Sequence, residues 1–534
     1  MSTPLANETE QIGQYYDAVP YASHPFPQTA IEHLEVLAAL FGLEAPIPSR
    51  ARVLELGCAS GGNLIPMAAR NPQAQMLGVD LSPVQIKDGQ GILARVHVPN
   101  AELRTLSISD IDASLGQFDY IVCHGVYSWV PADVQAAILR VCSENLAPDG
   151  VAYVSYNVYP GWKAREIVRD AMILRGGPRD APGEKLSYAR GMLEFLEQSA
   201  RADSVLKKTL EETMPIVRGS NTSYLLHEFL EPCNAPCYFK EFVARAAQQG
   251  LSYLCDAEPS TMFVQNYGEK VRDPLLRECG GSQIMMEQYL DFLVNRTFRQ
   301  TLLVHQARQG DIRYRLDRDR LRSLHYAGVF ATRDGAPITI NAQEQACVAL
   351  RNHSLTLRLP VHKAVAIELE QRYPATIDVE TLVAAVSARV GEPQAAVDGV
   401  VLAMLEEMLI LGAVRVRRQP LLVAAEVSPT PLASHLVRQA PGVDVASGPE
   451  ATVCNQWHEL VALTALERSL LPRLDGAHTH AQLIEHVIAE VRAERLRFLK
   501  NEQPVTDSAA IEALVQEQMA PALQNLRRKG LLIA

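Results

Sequence analysis

Val53-Leu54-Glu55-Leu56-Gly57-Cys58-Ala59-Ser60-Gly61-Gly62-Asn63 decides the fold of this chain. Val53 to Leu56 reads as a buried strand, which breaks into a glycine-rich turn and then opens a helix. Gly57 permits backbone angles that a side chain would forbid, and Gly61 and Gly62 are expected to let a ligand approach the main chain. The helix that follows points its free N–H groups at whatever sits over the turn. Strand, glycine turn and helix N-terminus together predict a nucleotide-cofactor site, with the nucleotide still open.

Two cofactors fit the turn alone. Gly57-x-Ala59-x-x-Gly62 is a loose match to the dinucleotide fingerprint, whose second position is normally glycine. Glu55-x-Gly57-x-x-x-Gly61 resembles the first motif of class I S-adenosylmethionine-dependent methyltransferases, with Ala59 replacing a frequent middle glycine. The resemblance puts the acid near the methionine amino group. Downstream residues decide between the two. Met76-Leu77-Gly78-Val79-Asp80 is a second apolar strand ending in an acid, about 20 residues beyond the turn, where a carboxylate takes the ribose hydroxyls. Leu81 follows it, and Ser82-Pro83 starts a helix as cap and first residue. A third strand is expected at Ala101 to Leu106 and a fourth at Phe118 to Cys123. A helix from about Ala132 to Glu144, the run Leu146-Ala147-Pro148-Asp149-Gly150 and a strand from Val151 to Tyr156 complete the series. That order resembles class I methyltransferases and not dehydrogenases, so the cofactor read here is S-adenosylmethionine (AdoMet). The family's adenine-binding acid aligns with Ser107, a departure that shifts adenine recognition to backbone groups near Ile108. Asp110 either binds the adenine amino group or caps a turn, and Asp119 reads as structural or cofactor-adjacent.

The 534 residues predict several domains, and 48% hydrophobic content supports large cores. A net charge of -11 without a long basic run argues against nucleic-acid binding. Met1 to Gln14 is polar and acidic, unlike a signal or transit peptide, and no apolar run reaches the ~18 residues of a membrane span. The expectation is a cytoplasmic protein with no membrane insertion. Nine scattered cysteines do not suggest a disulfide framework. Cys233 and Cys237 lack a second pair, so free thiols are favoured over zinc and no metal is expected. Cys58 reads as a small filler of the cofactor turn. His124, after the fourth strand, is either a general base or a hydrogen-bonded structural histidine.

Before the first strand, Tyr16 and Tyr21 lie in a proline-rich segment that either closes over the cofactor or packs a helix from about Thr29 to Gly42. After the fifth strand, residues 163–223 read as an inserted helical pair, a dimer arm or a lid, with the core resuming near Tyr224. A helix through Gly250 and a strand from Leu251 to Asp256 follow. Beyond Gly310 a faint repeat, Val361 to Val416 and Leu463 to Ile533, carries in each copy a short helix, a Thr-led helix, a long helix and an apolar tail after glycine. Helix–helix–helix–strand resembles a winged helix, and the acidic balance favours protein docking over DNA. The expected fold class is α/β: a Rossmann-like class I methyltransferase core with a helical insertion and C-terminal winged-helix-like modules. The expected units are an N-terminal cap (1–50), the core (51–162 and 224–305), the insertion (163–223) and modules at 310–425 and 426–534.

Four runs together carry a narrower resemblance: Tyr16-Asp17-x-x-Pro20-Tyr21, Leu54 to Asn63, His124-Gly125-Val126-Tyr127-Ser128-Trp129-Val130-Pro131, and Tyr156-Asn157-Val158-Tyr159-Pro160-Gly161-Trp162. They are similar to methyltransferases carrying a methyltransferase regulatory domain, among them the rickettsial outer-membrane-protein lysine methyltransferases. The resemblance implies a homodimer that methylates lysines of a surface or secreted protein before export. A lysine nucleophile must lose its proton, and an aromatic pocket favours the neutral amine. Tyr127 and Trp129 are therefore expected to hold the ammonium on their π faces, and Tyr156 and Asn157 to orient the amine. A small-molecule N- or O-methyltransferase and a non-enzymatic AdoMet-binding regulator are the alternatives.

Overall fold

The computed structural model describes residues 23–533 apart from 180, 221, 232, 440–450 and 501–502. A seven-stranded sheet holds β1 (Arg52–Leu56), β2 (Gln75–Asp80), β3 (Ala101–Thr105), β4 (Phe118–Cys123), β5 (Leu146–Asn157), β6 (Leu251–Asp256) and β7 (Phe298–His305). Its order is β3-β2-β1-β4-β5-β7-β6; β1 to β5 run parallel and β7 is antiparallel to both neighbours. The L-x-P-x-G run, expected ahead of the strand Val151 to Tyr156, is bulged within β5, because Phe118 pairs with Leu146 and Tyr120 already with Val151.

Alternation of side chains buries both faces of the sheet. Val53, Tyr120, Val122, Val151 and Tyr153 join one cluster, with α1 (Ile31–Leu40), α2 (Leu64–Arg70) and α3 (Pro83–Val96). Leu54, Leu56, Ile121, Val154 and Tyr156 join the other, with α4 (Ala132–Glu144). Ser82 caps α3 by accepting from Gln85 N–H at 3.2 Å, with Pro83 in the first turn.

The insertion is larger than the expected pair. It comprises α5 (Gly161–Gly176), α6 (Pro182–Ser199), α7 (Val205–Gly219) and α8 (Thr222–Phe229) around a core of Met172, Leu193, Leu210, Leu225 and Phe229. Leu225 and Phe229 belong to that core, which corrects the expected return at Tyr224. The chain rejoins the sheet layer at the Val158–Cys237 bridge and α9 (Phe239–Gln248). After β6 come α10 (Glu269–Glu278) and α11 (Gln283–Leu293). Wholly buried Arg299 on β7 then reaches Asp291 and Glu287 of α11, each at 2.8 Å.

Both copies of the C-terminal repeat fold as three helices closed by strand pairing. In the first, Pro360–Arg372, Val379–Val390 and Gln394–Leu411 pack under strands His325–Ala327, Ile377–Asp378 and Arg415–Arg417. Its second helix is led by Asp378, which accepts from Thr381 N–H at 2.8 Å, so the expected Thr lead is corrected there. Leu369, Val386 and Leu405 of this module share one apolar cluster with α1. A three-stranded antiparallel sheet within 330–357 precedes it and was not foreseen in sequence. The second copy has helices Ala465–Leu470, His480–Arg492 and Ser508–Arg528 over its own core, and here Thr479 does lead the middle helix. No described helix is long and apolar enough to cross a membrane.

Candidate functional site

A cavity of about 440 Å³ opens at the C-terminal ends of β1, β2 and β4, where the strand order reverses beside β1. Glu55, Gly57, Cys58, Ala59 and Asn63 of the glycine turn line it, as do Asp80, Leu81, Ser107, Ile108 and His124. Gly57 needs its glycine twice over: its φ is +73°, and a Cβ would lie 2.4 Å from a Val126 methyl. The expectation for Gly61 and Gly62 is corrected. Where a Cβ would stand on Gly62, the Ser23 carbonyl lies 2.3 Å away; Gly61 packs against Ile65 and Leu103 and is not part of the lining. These two glycines admit the protein's own chain, not a ligand.

Glu55 is 4% exposed; Asn63 Nδ2 donates to its Oε1 at 2.7 Å, and its Oε2 has no hydrogen-bond partner. Burial raises its carboxyl to about 8, with nearby Asp80 adding and the Asn63 hydrogen bond opposing. An unpaired carboxylate oxygen at the base of a cavity suits a cationic amino group. Asp80 accepts from Ala59 N–H at 2.8 Å and Ser82 N–H at 2.9 Å, which orients both oxygens at the cavity wall. Leu106, Ile108, Val130 and Val134 give the cavity an apolar lining around Ser107. Asp110 stands outside the lining, and Asp119 accepts from Arg52 N–H at 2.7 Å, a structural role.

His124 lines the cavity as a hydrogen-bonded residue. Tyr153 donates its hydroxyl proton to Gln300, so the His124 Nδ1–H donates to Tyr153 at 2.8 Å, and the ring packs on Phe26 with centroids 3.8 Å apart. Burial, with His24 nearby, lowers its pKa to about 3, far below a useful base.

The acceptor side departs from expectation. Trp129 and Asn157 line the cavity, but Tyr127 and Tyr156 do not. Both tyrosines are 1% exposed and pack on Phe242 of α9, Tyr156 stacked at 3.9 Å and Tyr127 edge-on at 5.2 Å. Period-two alternation along β5 sends Tyr156 into the α9 layer, where its hydroxyl meets Thr301 at 2.9 Å. The turn Tyr127–Trp129 tucks Tyr127 beneath and leaves Trp129 in the cavity wall. Tyr16 and Tyr21 lie outside the described residues. Residues not foreseen complete this end: Phe26, Phe298, and from the insertion Trp162, Arg165, Tyr224 and Glu228. Trp162 meets Trp129 edge-to-face at 6.0 Å, and its buried indole N–H has no hydrogen-bond partner. Glu228 pairs with Arg165 at 3.6 Å, and burial lifts its carboxyl above the usual range. Trp162 was legible as the end of the Asn-x-Tyr-Pro-Gly-Trp run; Glu228 and Phe298 carry no local signal. Among the described residues no cluster of three or more His, Cys, Asp or Glu is placed to hold a metal, and no disulfide joins the nine cysteines.

Three family models match the chain: "Methyltransferase domain" over residues 54–152, "Predicted methyltransferase regulatory domain" over 221–305, and "PKMT, C-terminal winged helix domain" over 430–531. A curated but uncharacterised protein of Rickettsia prowazekii is 29% identical over 99% of this chain and 96% of its own length. A second from the same organism is 38% identical over its entire length, covering 47% of this chain. Among solved structures, PKMT2 from Rickettsia typhi in complex with AdoHcy superposes with a TM-score of 0.85 at 28% identity, over 96% of this chain and 100% of that one.

Proposed function

Because the chain belongs to the S-adenosylmethionine-dependent methyltransferases that carry a methyltransferase regulatory domain, we propose that it methylates lysine side chains of a protein substrate. AdoMet is the methyl donor; when bound, it supplies a methyl on a sulfonium, which leaves with the electron pair of the broken bond. Glu55 Oε2 would hold its amino group, Asp80 its ribose, and the apolar lining at Leu106 and Ile108 its adenine.

The observation that carries the lysine reading is the acceptor end of the cavity. Half-buried Trp129 presents its indole ring, backed edge-to-face by wholly buried Trp162, with Glu228 and Asn157 in the same wall. Indole faces attract a cationic ammonium, and a carboxylate raised by burial is suited to take its proton. Once neutral, the amine can serve as the methyl acceptor, and holding it in line with the donor would supply much of the rate. The likeness over the whole chain to PKMT2 from Rickettsia typhi in complex with AdoHcy supports the AdoMet-dependent part of the reading. The substrate is a surface or secreted protein met in the cytoplasm before export, and the enzyme acts as a homodimer. Exposed Ile167, Leu174, Phe195 and Val205 on the insertion support a self-association surface there.

Incubation with labelled AdoMet and cell-envelope proteins is expected to place methyl groups on lysines, read by peptide mass spectrometry. Label confined to small molecules would overturn the reading. Glu228→Gln is expected to lower kcat with the protein acceptor by roughly tenfold to a hundredfold while AdoMet affinity holds.

A further inference from the structure

The turn Asn455-Gln456-Trp457-His458-Glu459 joins the hairpin strands Thr452–Cys454 and Leu460–Ala462 of the C-terminal winged-helix region and reaches into the methyltransferase core. It is held from behind: Asn455 Nδ2 donates to the Lys529 carbonyl at 3.0 Å, Trp457 Nε1 to the Pro374 carbonyl at 3.1 Å, and Gln456 N–H to the Gly530 carbonyl at 3.1 Å. At its tip His458 takes a φ of +62°, costly for a residue with a side chain, and is completely buried. Such strain persists only where the surroundings impose it.

The partners of His458 lie in the cofactor turn and the helix beyond it. Nδ1 is 3.0 Å from Arg70 Nη1 and Nε2 is 2.8 Å from Asn63 Oδ1. An arginine can only donate, so Nδ1 accepts and the ring proton sits on Nε2, which donates to Asn63. Cys454 Sγ, 3.7 Å from Nδ1, is consistent with the same tautomer. Asn63 Oδ1 also accepts from Phe26 N–H at 3.0 Å and stands 2.9 Å from the Thr29 hydroxyl. This convergence of donors on one amide oxygen fixes the flip of Asn63. Its Nδ2 is thereby aimed at Glu55 Oε1, 2.7 Å away, leaving Glu55 Oε2 without a protein partner in the cavity wall.

We propose that His458 is a positioning residue for AdoMet: through Asn63 it holds Glu55 in the orientation that receives the cofactor's amino group, making the C-terminal winged-helix domain a support of the cofactor site. The proposal rests on the assignment of Glu55 to the methionine end of AdoMet.

The test uses the full-length protein. His458→Leu removes the donor at similar volume; His458→Gln retains an amide N–H. Calorimetry is expected to show AdoMet bound about tenfold more weakly by the Leu variant (~1.4 kcal/mol) and near wild-type affinity for the Gln variant. At saturating AdoMet the Leu variant's kcat stays within about twofold of wild type, so the loss lies in KM for AdoMet. In an Asn63→Ala background His458→Leu adds no further loss. Wild-type affinity in His458→Leu, an equal loss in His458→Gln, or additive losses with Asn63→Ala would each overturn the proposal. A folding failure of the Leu variant leaves a second measurement on the wild-type protein. In ¹⁵N-histidine spectra the resonance lost in His458→Gln should report a neutral Nε2–H ring and move when AdoMet is added. The opposite tautomer, or a resonance blind to AdoMet, counts against the proposal. Failure of the wild-type protein to bind AdoMet would overturn the Glu55 assignment instead.

Discussion

The proposed assignment asks Glu55 to do two things that conflict: be buried, and be anionic for a cationic partner. Burial wins, and its carboxyl titrates near about 8 against an ordinary 4.5. At about pH 7 the free protein therefore carries a protonated Glu55, and capture of an ammonium expels that proton. Calorimetry in buffers of different ionisation heats is expected to show close to one proton released per AdoMet by the wild type and none by Glu55→Gln. Affinity should rise with pH toward 8 in the wild type and stay flat over that range in the variant. The stability sign is the reverse. A pKa raised in the fold contributes stability that is complete below pH 4.5 and lost as pH rises through about 8, so ligand-free Glu55→Gln should melt above the wild type beyond pH 8. Glu55, Gly57 and Asp80 were legible because strand, turn and helix cap are local features, set by neighbours in sequence. Tyr127 and Tyr156 were misread as site residues because proximity to the right strand ends does not say which way a ring turns. Alternation along β5 already separates Tyr156 from Asn157, and that cue pointed the right way.

Elements were read well where one periodicity dominates. β4 and α4 begin and end where the sequence places them, because an unbroken apolar run and an amphipathic repeat leave little choice. The insertion was underestimated because its helices are held by each other and not by the sheet, so apolar positions in α5, α7 and α8 have meaning only as a shared core. β7 is the sharper case: it carries Arg299, which reads as a surface residue until α11 brings Asp291 and Glu287 to it. The Tyr253 hydroxyl of β6 stands 2.8 Å from each Glu287 oxygen and donates its one proton to that carboxylate, and the Arg299 guanidinium lies 3.8 Å from the Phe239 ring centroid. One guanidinium thus ties α9, β6, β7 and α11 together without exposure to water. Arg299→Ala strips buried Glu287 of its guanidinium and leaves Asp291 only Arg296, at 2.8 Å, and is expected to cost about 3–5 kcal/mol, measured by urea unfolding of the full chain.

At the scale of the molecule, a charge cluster at the meeting of core and C-terminal half does the joining. Glu32 of α1 lies 3.4 Å from Arg70 at the end of α2 and 3.5 Å from Arg417 in the first C-terminal module, while Trp457 of the second lies 5.0 Å from the Arg417 guanidinium. Burial by itself would raise the Glu32 carboxyl, but Arg70 and Arg417 outweigh it and hold it well below the usual range. A depressed pKa gives stability that is present above pH 4.5 and is lost as pH falls. Glu32→Gln is expected to destabilise the protein at about pH 7 by about 2 kcal/mol, below the fully buried range because the side chain keeps 22% exposure. That difference from the wild type should shrink under acid, read by denaturant titration at several pH values. The sequence by itself determined the methyltransferase sheet, the AdoMet turn, the family and the two-copy C-terminal repeat, since each rests on local periodicity, turn chemistry or short runs of residues. Only the tertiary structure decided which aromatics line the cavity, that Glu228 of the insertion stands with them, and that His458 lies against Asn63. Those contacts join residues up to 395 positions apart, and no local pattern of propensity or spacing encodes a partner at that distance.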